Sequence, residues 1–297
     1  MVVMQLRHLE YFIALAEEQH FARAAARCNV TQPTLSTAIA TLEAQLGKRL
    51  VQRDRRFVAL TIEGETILSH ARRLVAAHHE MRLAIDAAGS LRGEMRLGCI
   101  PAAMPYTGRF LRALTADYPD LRVAIRQLTS DHILRGITGF ELDAGLTYLT
   151  GDAPAGVTAA PLYHERYCLA AHPRSPLAQQ DSVSLAEAVG EPLCLLHQGM
   201  QNRRILDAHF ARLRVQVQPV ATTDSYLALL SLVAHGGLNS IVTDSHAAFI
   251  APDTGVRLIP IADLPQTNSI GMLVAAAEPM APVARAALAV AQKLTQA

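Results

Sequence analysis

Residues 6–73 read LRHLEYFIALAEEQHFARAAARCNVTQPTLSTAIATLEAQLGKRLVQRDRRFVALTIEGETILSHARR, and the hydrophobic period changes twice along them. Leu6, Leu9, Ile13 and Ala16 recur at three- and four-residue spacing, which predicts a first amphipathic helix. Phe21–Arg27 is a short, Ala-rich second helix closed by Cys28-Asn29-Val30. Thr31 then stands where an N-cap belongs, and Pro33 falls in the first turn, where a missing N–H costs nothing. Leu35, Ile39, Leu42 and Leu46 give this third helix its inward face, and Gly47 supplies its stop. From Lys48 the period shortens to that of strands: Leu50-Val51-Gln52, a polar tip Arg53-Asp54-Arg55-Arg56, then Phe57–Leu60 form a small hairpin. Thr61 caps a fourth helix whose first turn carries Glu63 and Glu65 against the positive end of its dipole.

The outward face of the third helix holds Gln32, Thr34, Ser36, Thr37 and Thr41, short hydrogen-bonding side chains suited to base edges in a major groove. The hairpin concentrates Arg53, Arg55 and Arg56 at one tip, suited to phosphate or minor-groove contact. Together these describe a winged helix-turn-helix. In the fourth helix Ile67, Ala71, Leu74, His78, Met81, Ile85 and Ala88 repeat at alternating four- and three-residue spacing, the seam of a coiled coil. No segment within residues 1–92 remains to cover that seam, so a helix from a second chain is the expected partner.

The chain has 297 residues, 51% hydrophobic, enough for two or three domains with a real core. Gly89-Ser90-Leu91-Arg92-Gly93 is a hinge by composition. Beyond it strands and helices alternate (Met95–Ile100, a helix at Thr107–Asp117, Leu121–Leu128, a helix at Ile133–Thr138, Leu142–Thr147), which predicts an α/β domain with mainly parallel strands. Strand-like runs at Tyr167–Ala171 and Ser269–Ala276 bound an inserted α/β subdomain with segments at Pro192–Leu196, Ile205–Leu213, Leu227–Ala234 and Leu238–Val242.

The formal charge of +1 hides an asymmetry: residues 1–60 carry eight basic and five acidic groups, and five of the eight fall within Lys48–Arg56. Cys28, Cys99, Cys168 and Cys194 form no CxxC pair, so structural zinc is not expected and a reducing cytoplasm is. No basic leader with an apolar core opens the chain and no apolar run approaches a membrane span, so neither secretion nor membrane insertion is expected. GxSxG, HExxH, the Walker loop and GxGxxG are all missing, which leaves no catalytic residue to nominate and no cofactor to expect. His78-His79-Glu80 is a dense cluster, but adjacent histidines point about 100° apart on a helix, which favours solvated or seam positions over a metal site.

Residues 6–73 resemble the N-terminal module of LysR-type transcriptional regulators through Phe21-x-x-Ala24-Ala25, Gln32-Pro33-x-Leu35-Ser36, Ile39-x-x-Leu42-Glu43, Leu46-Gly47, Leu50-x-x-Arg53 and Leu60-Thr61-x-x-Gly64. Leu97-Gly98, Leu142–Leu146, Pro161-Leu162-x-x-Glu165, His172-Pro173 and Val233–Gly236 resemble the effector-binding domain of the same family. The resemblance implies a DNA-binding domain over 1–60, with Thr31, Gln32, Pro33, Thr34, Ser36 and Thr37 on the recognition helix and Arg53, Arg55 and Arg56 on the wing. It implies a linker and dimerisation helix over 61–89 and a two-lobed, periplasmic-binding-protein-like effector domain over 93–297, with lobe one at 93–164 and 267–297 and lobe two at 165–266. A small effector would lie between the lobes, reached by Ile100, Pro101, Ala102 and Ala103, by Thr129 and Ser130, by His197, Gln198 and Gly199, and by Thr222 and Thr223. Helix N-termini at such loops offer free N–H groups to an anion. Double-stranded DNA carrying an interrupted inverted repeat, further copies of the chain as dimer and tetramer, and RNA polymerase are the implied partners.

The chain departs from the family pattern in three places. Thr37 and Ala38 stand where a basic residue and Gln often follow the recognition-helix Ser, and Ala102 and Ala103 stand where a hydroxyl commonly meets a carboxylate effector. Gln201 stands where the peroxide-sensing branch places its reactive Cys, with Cys194 on the preceding apolar strand. Two other readings compete with an effector-controlled regulator: a small-molecule-binding protein or enzyme whose N-terminal module serves assembly, and a regulator that senses thiol oxidation.

Overall fold

The computed structural model describes residues 4–53, 57–86, 91–149, 151, 153–264 and 268–296. The chain divides into two compact units, Met1–Leu91 with Thr138–Glu141, and Arg92–Ile137 with Leu142–Ala297.

In the first unit, α1 (Leu6–Glu18), α2 (Phe21–Arg27) and α3 (Gln32–Leu46) precede a hairpin of β1 (Val51–Arg53) and β2 (Phe57–Leu60), and α4 (Ile62–Asp86) follows. Phe12, Leu15, Leu35, Ile39, Leu42 and Leu50 are fully buried in one core. The Thr31 hydroxyl accepts the Thr34 amide at 3.4 Å and so caps α3, whose far end closes with Gly47 at a φ of 64°. Glu43 Oε1 accepts the amides of Leu50 (2.9 Å) and Val51 (3.1 Å), which ties the hairpin to α3. The Thr61 hydroxyl donates to the Arg49 carbonyl and accepts the Gly64 amide, locking the hairpin's other end to α4. Arg55 and Arg56 at the hairpin tip, Ala88 of the seam, the side chain of Ile85, and Gly89 and Ser90 of the hinge lie outside the described residues.

The expectation that α4 has nothing to cover it within its own module is corrected. Ala71 is 1% exposed inside the helical core, with Ile67, Leu68 and Val75 packed against that core, because α1 lies along the first half of α4. Among the described side chains, Leu74 and Met81, about half exposed, and exposed His78 are the seam positions left facing out.

The second unit contains two five-stranded sheets. The first is built from β3 (Gly93–Cys99), α5 (Thr107–Asp117), β4 (Leu121–Gln127), α6 (Ser130–Thr138), β5 (Ala144–Leu149) and β6 (Val157–Glu165). The chain then crosses to the second: β7 (Tyr167–Ala171), α7 (Leu185–Val189), β8 (Leu193–Leu196), α8 (Gln201–Arg212), β9 (Ala221–Thr223), α9 (Tyr226–Gly236), β10 (Asn239–Thr243) and β11 (Arg257–Pro260). It returns through β12 (Asn268–Ala275) and ends in α10 (Pro282–Gln296). The strand orders are β4-β3-β5-β12-β6 and β11-β7-β10-β8-β9.

Each sheet is mixed rather than mainly parallel. β3 is parallel to β4 and β5, and β8 to β9 and β10, as expected of βα repeats. The antiparallel strands β6, β7, β11 and β12 are those that flank the crossings between sheets. β6 escaped the sequence reading because Pro161 interrupts it; the proline sits at a register shift opposite Gly271 on an edge strand, where a missing N–H is tolerated.

Gly64 makes a sharp stability prediction. A Cβ there would lie 2.1 Å from the Leu50 carbonyl oxygen, backbone that cannot swing aside, whereas a Cβ at exposed Gly108 in α5 would meet nothing within 4 Å. Gly64→Ala should lower stability by roughly 2 kcal/mol or more, while Gly108→Ala should raise it by about 0.5–1 kcal/mol. Thermal unfolding of the two full-length variants beside the parent reads both signs.

Candidate functional site

The α3 face presents Thr31, Gln32, Pro33, Thr34 and Thr37 to solvent, with Ser36 half-buried between them. Thr31 and Thr34 share a 2.8 Å hydroxyl–hydroxyl contact, and the Thr41 hydroxyl turns back onto the Thr37 carbonyl at 2.9 Å. Gln32 and Thr37 therefore stand out as side chains with donors and acceptors free for an external partner. Lys48 and Arg49, both exposed, lie just beyond the end of α3. Of the wing arginines, Arg53 ends β1, and its side chain, like Arg55 and Arg56, is outside the described residues.

The second site lies between the two sheets of the second unit. Ile100, Pro101, Ala102, Thr129 and Ser130 come together there with Tyr148, Leu196, Met200, Gln201, Asn202 and Tyr226 around an inner space of about 20 Å³. Ser130, Tyr148 and Gln201 also border an outer chamber of about 450 Å³, walled by β5 and α6 on one side and α8 on the other. Five of the eleven sequence-predicted effector positions thus line the cleft. Ala103 is packed in the core beneath it, fully buried. His197, Gln198 and Gly199 are exposed in a self-contained turn, with the Gly199 amide donating to His197 Nδ1 at 3.1 Å. Thr222 and Thr223 belong to β9, where the Thr223 carbonyl accepts the His197 amide and its hydroxyl accepts the Ser225 amide. On the side of the second sheet the sequence places contacts on the loops at 197–199 and 222–223, whereas the residues that reach the cleft there are Leu196, Met200 and the first of the following helices, Gln201 and Asn202 of α8 and Tyr226 of α9.

Behind the cleft lies a polar relay that sequence reasoning missed. Asn202 Nδ2 donates to the Tyr148 hydroxyl at 2.8 Å, and Tyr148 donates to Glu165 Oε2 at 2.8 Å. The first of these bonds joins the two lobes. The second reaches the residue at which the chain leaves the first sheet. Glu165 is 1% exposed, and desolvation pushes its carboxyl up to about 7 against the opposing hydrogen bond from Tyr148. Nearby, His246 stacks on Tyr226 with centroids 3.8 Å apart, and burial drives its imidazole down to about 4.

Two comparisons of sequence decide the family. A model described as "LysR substrate binding domain" matches residues 88–296, and one described as "Bacterial regulatory helix-turn-helix protein, lysR family" matches residues 6–65. The chain belongs to the LysR family. It is a LysR-type transcriptional regulator with an N-terminal winged helix-turn-helix and a two-lobed α/β domain. The "Probable hydrogen peroxide-inducible genes activator" of Mycobacterium avium is 37% identical over 70% of this chain and 68% of its own. The "Uncharacterized HTH-type transcriptional regulator YnfL" of Escherichia coli is 32% identical over 88% of both. A full-length OxyR variant from Pseudomonas aeruginosa has the same fold with a TM-score of 0.75, 26% identity and coverage of 99% of this chain and 98% of that one.

The thiols of this LysR-type regulator are sheltered. Cys99, Cys168 and Cys194 are buried; desolvation raises all three, Cys99 to about 12 and Cys168 to about 11. Cys28, half-buried, is also raised by desolvation. Gln201 opens α8 and lines the cleft, so the α8 N-terminus carries an amide and no thiol.

The buried pair Glu165 and His246 gives a pH signature with opposite signs. Between about 4.5 and 7 the folded Glu165 holds a proton that the unfolded chain releases, so its contribution to stability falls as pH rises. Between about 4 and 6.5 the unfolded His246 holds a proton that the folded chain excludes, so its contribution rises with pH. Tyr148, Tyr163, Tyr167, Tyr226 and Asp244 face Glu165, and of these Asp244 adds to the upward push. In denaturant melts at stepped pH, Glu165→Gln should gain stability relative to the parent as pH rises from 4.5 to 7, by up to roughly 3 kcal/mol. His246→Phe should lose relative stability from pH 4 to 6.5. Difference curves flat in both variants would refute the assignment.

Proposed function

We propose that this regulator binds duplex DNA as an oligomer through α3 and the wing, and that a small effector in the interlobe cleft sets its activity. The observation that carries the DNA reading is the capped, exposed, hydrogen-bonding face of α3 beside the exposed cations Lys48 and Arg49. In this reading residues 1–60 contact DNA, 61–89 join two chains, and 93–297 hold the effector, with lobe one at 93–164 and 267–297 and lobe two at 165–266. The protein works in the cytoplasm and is not an enzyme; regulators of this family act by occupying DNA. Among the described residues no helix is long and apolar enough to cross a membrane, and no group of side chains could hold a metal ion.

The α3 face itself has no Lys or Arg, so one module should bind weakly, with useful affinity coming from two modules on one duplex. The exposed part of the seam is the joint. Leu74→Glu with Met81→Glu should leave a folded chain that sediments at lower mass and binds an interrupted inverted repeat at least tenfold more weakly. Gln32→Ala should relax preference for that repeat over random duplex. Parent binding should weaken steeply with salt. Binding indifferent to sequence and salt would remove the reading.

Thiol sensing is the second reading, because the M. avium relative and the OxyR structure carry peroxide-related names. The sheltered, protonated thiols oppose it. Cys99→Ser and Cys194→Ser should leave DNA binding and its ligand response unchanged in peroxide-treated and untreated protein, as a shift assay on each variant reads directly. Loss of response in either would favour the thiol.

A further inference from the structure

The outer chamber of the interlobe cleft specifies more about its ligand than shape alone. Its mouth is spanned by one ion pair, Arg204 Nη2 of α8 with Asp131 Oδ2 of α6 at 3.6 Å, one charge on each lobe. Leu134, Leu149, Ile205, Ala208 and Leu273 give it apolar walls. Two hydroxyls are buried at its edge without a partner, Thr147 Oγ1, on a residue only 2% exposed, and Ser130 Oγ. A buried hydroxyl with nothing to bond costs free energy in the empty protein and rewards a ligand that supplies the partner. The α8 N-terminus beside Arg204 has no side-chain cap, whereas α6 begins under the Thr129 hydroxyl, which accepts the His132 amide at 3.3 Å. Arg204 therefore adds to the positive end of α8, whereas Asp131 offsets the positive end of α6.

We infer that the chamber takes a zwitterion with an apolar side chain, an amino-acid-like molecule whose carboxylate sits at Arg204 and the open end of α8 and whose ammonium sits at Asp131. This rests on the reading of the cleft as the effector site. A plain carboxylate would satisfy Arg204 but leave Asp131, stripped of its partner, facing the ligand's negative charge. A plain amine would do the reverse. An amphoteric ligand replaces the Arg204–Asp131 ion pair with two, and its apolar part covers the Leu134, Ile205 and Leu273 walls. The ligand class differs from the plain anion that helix N-termini alone suggested, because the acidic wall is as close as the basic one. The loop at Ile100–Ala103 has no side-chain hydroxyl and so adds no side-chain donor to change that balance.

The test uses the full-length protein with L-leucine and L-phenylalanine as zwitterions, 4-methylpentanoate as the acid alone and isoamylamine as the amine alone, read by calorimetry and thermal shift. At least one of the two amino acids should bind and raise the melting temperature, while the acid and the amine bind at least tenfold more weakly. Arg204→Gln and Asp131→Asn should each weaken the amino acid by tenfold or more. Thr147→Val, which changes no charge, should weaken it by a smaller factor of about two to ten. All three variants must melt near the parent when empty, and they must still shift the DNA repeat. Equal affinity for 4-methylpentanoate, an Asp131→Asn variant that binds the amino acid normally, or no binding by either amino acid would overturn the ligand class. Retained, salt-sensitive DNA binding in those outcomes would leave the regulator reading standing, whereas loss of specific DNA binding by the parent would sink that reading independently.

Discussion

A carboxyl group with no access to water sits at the point where the chain leaves one sheet for the other. Glu165 ends β6, faces Asn268 of β12 across the ladder, and is followed after a single residue by the first strand of the second sheet. Burying a carboxyl is costly unless it keeps a proton or gains donors, and Glu165 does some of each. Its donor Tyr148 is in turn held by Asn202 from the opposite lobe. The crossing between lobes is thus tied through polar groups as well as through apolar contact, and a hydrogen-bonded tie demands a more exact geometry than apolar contact does. The same three residues form the wall of the cleft or stand directly behind it. Lobe geometry and cleft chemistry are consequently one problem.

In the first unit the comparable constraint is attachment of the wing. Glu43 holds β1 from the α3 side, and Thr61 with Gly64 holds the hairpin from the α4 side. The exposed α3 face, the hairpin and the start of α4 then move as one body around a core of Phe12, Leu15, Leu35 and Ile39. A recognition helix poor in cations gains from this rigidity, since hydrogen bonds to base edges require position more than attraction. On the proposed reading, affinity is then left to the number of modules joined and to the basic stretch at 48–56.

The sequence shows the first unit with little loss because its signals are local: caps at Thr31 and Thr61, a stop at Gly47, and periods of 3.6 and 2 that change where the elements change. One misreading there concerned α4, whose single apolar stripe is covered by its own module over its first half and exposed beyond. Ile67 and Ala71 face α1, while Leu74 and Met81 stay outside, and periodicity alone cannot divide a stripe between them. In the second unit the parallel βα repeats were legible, but the mixed sheets were not. β6 contains a proline and β9 only three residues, and both are held by neighbours distant in sequence. The cleft suffered for the same reason. Ile100 and Thr129 follow strands and precede helical turns, and Ser130 opens α6, a local pattern, whereas Tyr148 and Glu165 enter by long-range contact and Asn202 by its position one step into α8.

Control of such a molecule by a ligand requires that the ligand bind one lobe arrangement better than the other; equal affinity shifts nothing. The Arg204–Asp131 pair is half or more exposed on both sides, and pairs of that kind are worth about 1 kcal/mol or less. It can hold the lobes only lightly when the cleft is empty. A bridging ligand that engages both charges and covers the apolar walls acts where water is displaced, and so contributes more than the pair it replaces. The Asn202–Tyr148–Glu165 relay stands directly behind this bridge, and Ser130, Tyr148 and Gln201 belong to both the inner space and the outer chamber. A change in the separation of the lobes acts on the Asn202–Tyr148 bond, which runs from α8 to β5. A weak outer pair in front of a well-formed inner hydrogen bond between the lobes is an arrangement in which differential affinity at the mouth acts on lobe angle, because that 2.8 Å bond weakens as its distance and direction depart from ideal.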